Sequence, residues 1–338
     1  MKEYKNYSLI HNNTFGIDAV ADCFVEYETE GELQKFLTTR PKDVPVFHIG
    51  GGSNLLFTRD YHGIVLHSRL QSVEVKDETD EDVLVRVGAG VVWDDFVVYC
   101  LKHGFYGLEN LSLIPGEVGA SAIQNIGAYG AEAGAFVHAV EVVDLATGLV
   151  ENKSGKECGY AYRFSRFKGE WRGRYAVTYV EYKLSKQFHP NLNYDPIRQY
   201  AETVGLANLS PSLIREKIIG IRKSKLPDPK ILGNAGSFFM NPIVSENEYQ
   251  RLRKENPQLE IPGYRTETGI KIPAGWLIEQ TGWKGRSLGK AGVYDKQALV
   301  LVNLGGAQAH DIIDLSHRIS KDVKERFGIK IEPEVNWI

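Results

Sequence analysis

Strand-like and helix-like segments alternate along the chain, so the sequence predicts a protein of mixed helices and strands divided into two or three domains. Two observations support this beyond the alternation. The 338 residues are enough to bury a large core and exceed the usual size of one domain. The run Val46-Phe47-His48-Ile49-Gly50-Gly51-Gly52-Ser53-Asn54-Leu55-Leu56-Phe57 sets three glycines between two apolar, strand-like pieces. Three residues without a Cβ let the backbone take positive φ, and their successive N–H groups can form a nest for an anion such as a pyrophosphate. It is not the dinucleotide fingerprint, because Leu55 stands where a third spaced glycine belongs and strand-like residues follow where a helix should open. No Lys-Ser or Lys-Thr follows, which excludes a P-loop. The same run also suits a hairpin turn between two buried strands.

Composition narrows the function. Hydrophobic residues make up 43% and charged residues 25%, and the net charge is -3, so there is no electrostatic footprint for nucleic acid or an anionic membrane. No apolar run approaches the length of a membrane span. Met1 to Asn6 is polar with no apolar stretch behind it, and the expected location is the cytoplasm. Cys23, Cys100 and Cys158 are odd in number and far apart, and the nine histidines lack ligand spacing. Neither a disulfide framework nor a metal site is expected.

In chain order, Ala19 to Tyr27 reads as a strand, and Thr29 with Glu32 as a capping box for a short helix ending near Arg40-Pro41. Ser72 to Val87 reads as a hairpin about the acidic turn Asp77 to Asp82, one arm being Val83-x-Val85-x-Val87. Trp93, Phe96, Val97, Cys100 and Leu101 recur at helical spacing, with Gly104 as the stop, and this stripe is core. Leu111 to Glu132 is rich in Gly, Ala and Ser, which suits close approach to a planar ligand or, equally, tight helix–strand packing. Val137 to Leu145 and Ala176 to Leu184 are strand-like. A loop with Asn193-Tyr194-Asp195-Pro196 leads to a helix capped by Ser210 and begun by Pro211, its apolar side being Ile214, Ile218 and Ile221. Arg222, Lys223 and Lys225 sit at its cation-favouring end, and Pro227-Asp228-Pro229 marks a domain boundary. In Gly233 to Pro242 a lone hydroxyl, Ser237, stands between glycines and two phenylalanines; a loop serine that satisfies backbone groups would look the same. Helices are expected over Pro273 to Thr281 and His310 to Phe327, and strands over Ala298 to Asn303 and Ile329 to Trp337. In that last strand Ile329, Ile331, Val335 and Trp337 share one face and Glu332, Glu334 and Asn336 the other.

Taken together, Gly50 to Asn54, Ile114-Pro115-Gly116, Gln124-Asn125-Ile126-Gly127-Ala128-Tyr129-Gly130, Tyr162-Arg163, Lys225 to Pro229, Gly233 to Phe239 and Glu332-Pro333-Glu334-Val335 resemble the UDP-N-acetylenolpyruvoylglucosamine reductase family, in order over essentially the whole chain. The resemblance implies an α+β flavoenzyme with the vanillyl-alcohol-oxidase-like (PCMH-type) two-part FAD-binding fold and a separate α+β substrate domain. The implied parts are residues 1–70 and 71–222 for FAD, the second joined by the strand 329–338, and 223–328 for substrate. FAD, bound non-covalently, would be reduced by NADPH as co-substrate and would then reduce the enolpyruvyl ether of a UDP-sugar in peptidoglycan precursor synthesis. A monomer is expected.

Carried over by position, Arg163, Ser237 and Glu334 correspond to the family's catalytic residues. FAD contacts are implied at Ile49, Gly50, Gly51, Gly52, Ser53, Asn54, Pro115, Gly116, Gly119, Ala120, Ser121, Ile123, Asn125, Gly127, Ala128, Gly130 and Arg222. Tyr194, Lys225, Asn241 and Gln297 fall where substrate is contacted, and the Tyr194 loop resembles the subclass that closes a tyrosine over the nucleotide. Met240 and Asn336 depart from a lysine and an arginine found in some members. The residue types suit the chemistry. An arginine can grip a carboxylate on which charge develops, a protonated Glu334 could help, and a hydroxyl could return the proton. Two other readings share parts of the pattern: a flavin oxidase of the same superfamily, and a non-catalytic FAD or UDP-sugar binding module.

Overall fold

The computed structural model describes residues 1–338 as two compact units. The first comprises Met1–Tyr7, Val20–Gly52 and Tyr61–Arg222; the second comprises Ser8–Ala19, Ser53–Asp60 and Lys223–Ile338.

The first unit holds two large sheets and a two-stranded one that pairs Gly127–Ala128 with Ala131–Glu132. In one, Val46–Ile49 and Val20–Tyr27 both run parallel to Tyr61–Ser68, which lies between them. Its α1 (Glu30–Thr39) starts as the sequence predicts, with the Thr29 hydroxyl accepting the Glu32 N–H at 3.2 Å, while the Glu32 carboxylate turns back to the Glu28 N–H at 2.8 Å. Leu33, Phe36 and Leu37 of α1 pack with Val25, Tyr27, Leu66 and Leu70 in one core. The second sheet is antiparallel, in the order Val150–Ser154, Val137–Asp144, Tyr175–Ser185, Asp82–Gly88, Val73–Glu78, so the expected acidic hairpin is its edge. Against it lie α2 (Trp93–His103), closed by Gly104 at φ 72°, and α3 (Val118–Gln124). Two further helices, α4 (Asp195–Val204) and α5 (Pro211–Lys225), meet through Ile197, Ala201, Ile214 and Ile218. The α4 helix stands where the sequence predicts only a loop. Pro196 occupies its first turn, where the missing N–H leaves no bond unmade.

The second unit contains α6 (Glu246–Glu255), α7 (Ala274–Gln280) and α8 (Ala309–Phe327), with a four-stranded sheet in the order Asn234–Ser237, Val300–Asn303, Ala291–Val293, Ser287–Leu288. Phe15, Ile17 and Leu56 join Phe238, Ile272, Leu301, Ile319 and Val335 in its core.

Two expectations change here. Leu55–Leu56 does not pair with Val46–Ile49 as a hairpin would require. It runs parallel to Asn336–Trp337, so the glycine run is a crossing between sheets and not a turn. The strand expected over Ile329 to Trp337 is regular only at Asn336–Trp337, because Pro333 supplies no donor and the chain there makes an isolated bridge to Phe239. Ile329, Ile331 and Val335 are buried and Trp337 is half-buried, but residues 329–338 belong to the second unit and not with 71–222.

Candidate active site

In the first unit the strand Val46–Ile49 delivers the glycine run onto the turn that opens α3. A Cβ on Gly51 would lie 3.5 Å from Gly116 Cα, and one on Gly50 would lie 3.2 Å from Glu117 Oε2 and 3.4 Å from Ala120 Cβ. Two glycine-bearing backbones therefore face each other, with Gly52 at φ 64° and Gly116 at φ 119°, conformations that favour glycine. Behind them Glu117 Oε1 is 3.0 Å from His67 Nε2, and His67 Nδ1 is 3.7 Å from Glu26, itself bound by Arg69 at 2.7 Å. His67 and Glu117 are 50 positions apart and belong to no local motif, so no local pattern points to the pair.

Arg163 occupies a two-residue turn closed by the Ala161 N–H to Phe164 bond at 3.1 Å and the Phe164 N–H to Ala161 bond at 2.9 Å. Its φ is 53°, unusual for a residue with a Cβ. The guanidinium donates to the Gly127 carbonyl at 2.6 Å and lies 5.1 Å from the Tyr162 ring. A Cβ on Gly127 would sit 2.7 Å from Arg163 Nη1, so this glycine makes room for the arginine.

Other expected contacts have structural partners. A Cβ on Gly119 would fall 2.8 Å from Ala89 Cβ, the tight-packing reading of a small residue. Ser121 Oγ donates to the Val118 carbonyl at 2.7 Å and shares a hydrogen bond with Tyr182. Buried Asn125 donates to the Ala161 carbonyl at 2.8 Å and to Glu132 at 2.9 Å, and accepts the Gly134 N–H at 2.8 Å. Their side chains serve the fold.

Tyr194 stands at the start of α4, its ring 5.1 Å from that of Tyr129 in an edge arrangement. Asn110 donates to the Tyr129 carbonyl at 2.7 Å and the Asn191 carbonyl at 3.0 Å, which fastens this loop down. Gly130 lies beneath it, where a Cβ would be 2.9 Å from Asn193 Cβ. Burial lowers the pKa of Arg222, opposed by a hydrogen bond to the Tyr129 hydroxyl and by Asp94. Burial would raise Asp94, but the Arg215 fork at 2.7 and 2.8 Å and the Leu113 N–H outweigh it and leave the carboxyl below its usual range.

The second unit gathers a different set. Ser237 ends the strand Asn234–Ser237 opposite Val300 and is exposed, while Phe238 and Phe239 behind it are fully buried. The Phe238 carbonyl accepts the Glu334 N–H at 2.8 Å, which brings the chain at Glu334 beside Ser237. Asn54 donates to the Glu334 carbonyl at 3.3 Å, and its own carbonyl accepts both the backbone and side-chain N–H of Asn336, at 3.1 and 3.2 Å. Asn336 thus fixes the residue that follows Ser53. Asn241 Oδ1 accepts the Ala274 N–H at 2.9 Å and Gln297 Oε1 lies 3.0 Å from the position of a Cβ on Gly275, so both converge on the start of α7. Lys225 is exposed at the end of α5. No group of three His, Cys, Asp or Glu side chains is arranged to hold a metal ion.

Residues 21–153 match the model of an FAD binding domain. The fold is shared with a UDP-N-acetylenolpyruvylglucosamine reductase from Thermus caldophilus at TM-score 0.69 and 24% identity, covering 99% of this chain and 98% of that one. It is shared more distantly with 6-hydroxy-D-nicotine oxidase from Arthrobacter nicotinovorans at TM-score 0.53 and 14% identity, covering 97% and 86%. This is the two-part FAD-binding fold of the vanillyl-alcohol-oxidase type. Residues 228–338 match the model of the UDP-N-acetylenolpyruvoylglucosamine reductase C-terminal domain. The chain is 53% identical over 335 residues to the UDP-N-acetylenolpyruvoylglucosamine reductase of Bacteroides fragilis, covering 99% of both, and 44% identical over 338 residues to that of Porphyromonas gingivalis, covering 99% and 98%. It belongs to the UDP-N-acetylenolpyruvoylglucosamine reductase family.

The first unit suits FAD. The facing Gly50–Gly51 and Gly116 backbones leave the space of absent side chains beside a run of N–H groups, the arrangement a diphosphate needs. The Glu117 oxygen that His67 does not hold is buried there with no partner, an acceptor suited to a hydroxyl of the cofactor's sugar chain.

Proposed function

We propose that this protein reduces the enolpyruvyl ether of UDP-N-acetylglucosamine to UDP-N-acetylmuramate in peptidoglycan precursor synthesis, with NADPH as reductant and FAD as carrier. FAD, when bound, supplies the hydride chemistry. The remaining work falls to the chain's own residues. Gly50, Gly51 and Gly52 would hold the diphosphate of FAD. Arg163, aimed by its turn and by Gly127, stabilises the charge that develops on the substrate carboxylate. Ser237 Oγ gives a proton to the carbon bearing the ether oxygen, and Glu334 assists beside it. Tyr194, Lys225, Asn241 and Gln297 contact substrate, Lys225 through its charge toward phosphate. The protein acts as a monomer in the cytoplasm; no helix is long and apolar enough to cross a membrane.

The observation that supports the Ser237 role is the 2.8 Å bond from the Glu334 N–H to the Phe238 carbonyl, which sets the backbone of Glu334 against the end of the strand that carries Ser237, next to the Phe238 and Phe239 rings. Stopped-flow absorbance tests it by separating the two half-reactions. Ser237→Ala is expected to accept electrons from NADPH at near-normal speed and to pass them to the enolpyruvyl substrate about 10²–10⁴ times more slowly, the usual contribution of a positioned acid. Equal loss in both halves would make Ser237 a structural residue. Reoxidation by oxygen faster than by substrate in the unaltered protein would favour the oxidase reading.

A further inference from the structure

The turn that carries Arg163 has a feature that the proposed chemistry does not use. Lys168, half-buried in the short 3-10 turn Arg166–Lys168, donates from Nζ to the carbonyl of Arg163 at 2.9 Å. Arg163 is the third residue of the four-residue turn Ala161 to Phe164, with φ at 53°. That position favours Gly or Asn, because a Cβ there crowds the backbone. Left alone, such a turn tends to relax toward negative φ and to swing the side chain with it. The flanks of the turn are tied elsewhere: Asn125 donates to the Ala161 carbonyl at 2.8 Å, and Ser165 donates to the Ile123 carbonyl at 2.6 Å. Lys168 instead bonds the peptide of the strained residue itself, and the bond to a charged donor is stronger than one between neutral groups.

We propose that Lys168 is a positioning residue for the reaction: its ammonium holds Arg163 in the left-handed conformation that aims the guanidinium. The proposal rests on Arg163 acting in the substrate half-reaction. Lys168 itself touches neither cofactor nor substrate in this scheme. A shift of about 1 Å in a catalytic group costs on the order of 10²-fold in rate, so a loosened turn is felt in turnover well before it is felt in folding.

A double-mutant cycle on the full-length, FAD-loaded protein tests this, using Lys168→Met, Arg163→Ala and the pair. Four quantities are read: FAD content, the thermal melting point, the rate of flavin reduction by NADPH, and the rate of reoxidation by saturating enolpyruvyl UDP-N-acetylglucosamine. Lys168→Met is expected to keep its FAD and its NADPH step within about twofold and to slow reoxidation about 10- to 100-fold. Lys168→Arg, which keeps a charged donor of similar reach, is expected to recover most of that loss. In the Arg163→Ala background the Lys168 change is expected to add nothing. The proposal is overturned if Lys168→Met leaves reoxidation unchanged while Arg163→Ala slows it, or if the two losses multiply in the pair. If Arg163→Ala alone has no effect, the reading of Arg163 fails instead, and that result is separate from the others. Should Lys168→Met fail to retain FAD, Lys168→Gln, a neutral donor, takes its place in the cycle with the same criteria.

Discussion

Gly127→Ala probes the catalytic arginine from the other side. The added Cβ would lie 2.7 Å from Arg163 Nη1, 3.0 Å from the Ala131 carbonyl oxygen and 3.0 Å from Glu132 Cγ. Carbon in comfortable contact needs about 3.5 Å, so the guanidinium must retreat by about 0.8 Å. The backbone cannot yield in its place, because Gly127 and Ala128 pair with Glu132 and Ala131 and the oxygen forms the opposite wall. Gly127 is not among the residues at positive φ, so alanine brings no backbone strain, and the overpacking cost falls near the low end of about 1–3 kcal/mol. A retreat of that size weakens the Nη2 bond to the Gly127 carbonyl and misaims the charge. A loss of about 10²-fold is expected, or about 2.7 kcal/mol of transition-state stabilisation. The assay is stopped-flow reoxidation of the reduced protein by substrate, with the NADPH step and the melting curve as controls. Reoxidation within threefold of the unaltered protein would refute the reasoning, since Arg163 would then tolerate the displacement its role forbids.

Two more outcomes follow from the first unit. A Cβ at Gly51 meets nothing closer than Gly116 Cα at 3.5 Å, so Gly51→Val is expected to leave the apoprotein's melting point close to its original value while abolishing FAD retention; full yellow occupancy after purification would move the diphosphate elsewhere. Burial, with a smaller contribution from His67, pushes the pKa of His48 down to about 3, and the Tyr27 hydroxyl lies 2.8 Å from its Nε2. The unfolded chain then takes up this proton first. The contribution to stability is intact above about pH 6.5 and is lost as the pH falls toward 3, with a slope of at most about 1.4 kcal/mol per pH unit. Urea unfolding at pH 7, 6, 5 and 4 is expected to show a shallower decline in His48→Gln, and an identical decline in the two proteins would refute this.

What the sequence revealed was mostly what neighbouring residues decide. The Trp93 to Leu101 stripe and its Gly104 stop lie within one helix, and the Thr29 cap within one turn, so periodicity and capping were enough to find them. The α6 helix carries an equally local signal, the Ser245 and Glu248 capping box, but it is polar on most sides and shows no apolar stripe to mark the rest of it. Other features had no local signal at all. The partner of Leu55–Leu56 and the pairing of His67 with Glu117 depend on which distant segments meet. The site divides the same way. Motif position singled out Arg163 and Ser237, whereas Gly127, Asn125 and Lys168 as supports of the arginine emerge only from the turn's geometry.

The parallel pair of Leu55–Leu56 with Asn336–Trp337 also orders events in the life of the protein. Thr58 donates to the Ile338 carbonyl from both its N–H and its hydroxyl, across a separation of 280 residues. During synthesis the segment just after the glycine run must therefore wait, exposed, until the ribosome has released a stretch made nearly three hundred residues later. Contacts of such range close slowly, because the entropy of the intervening loop is lost before any of them forms. The second unit is thus completed only once Asn336–Trp337 has been made, and Ser53 and Asn54, which belong to it, are set in place at that late stage and not as the first unit emerges.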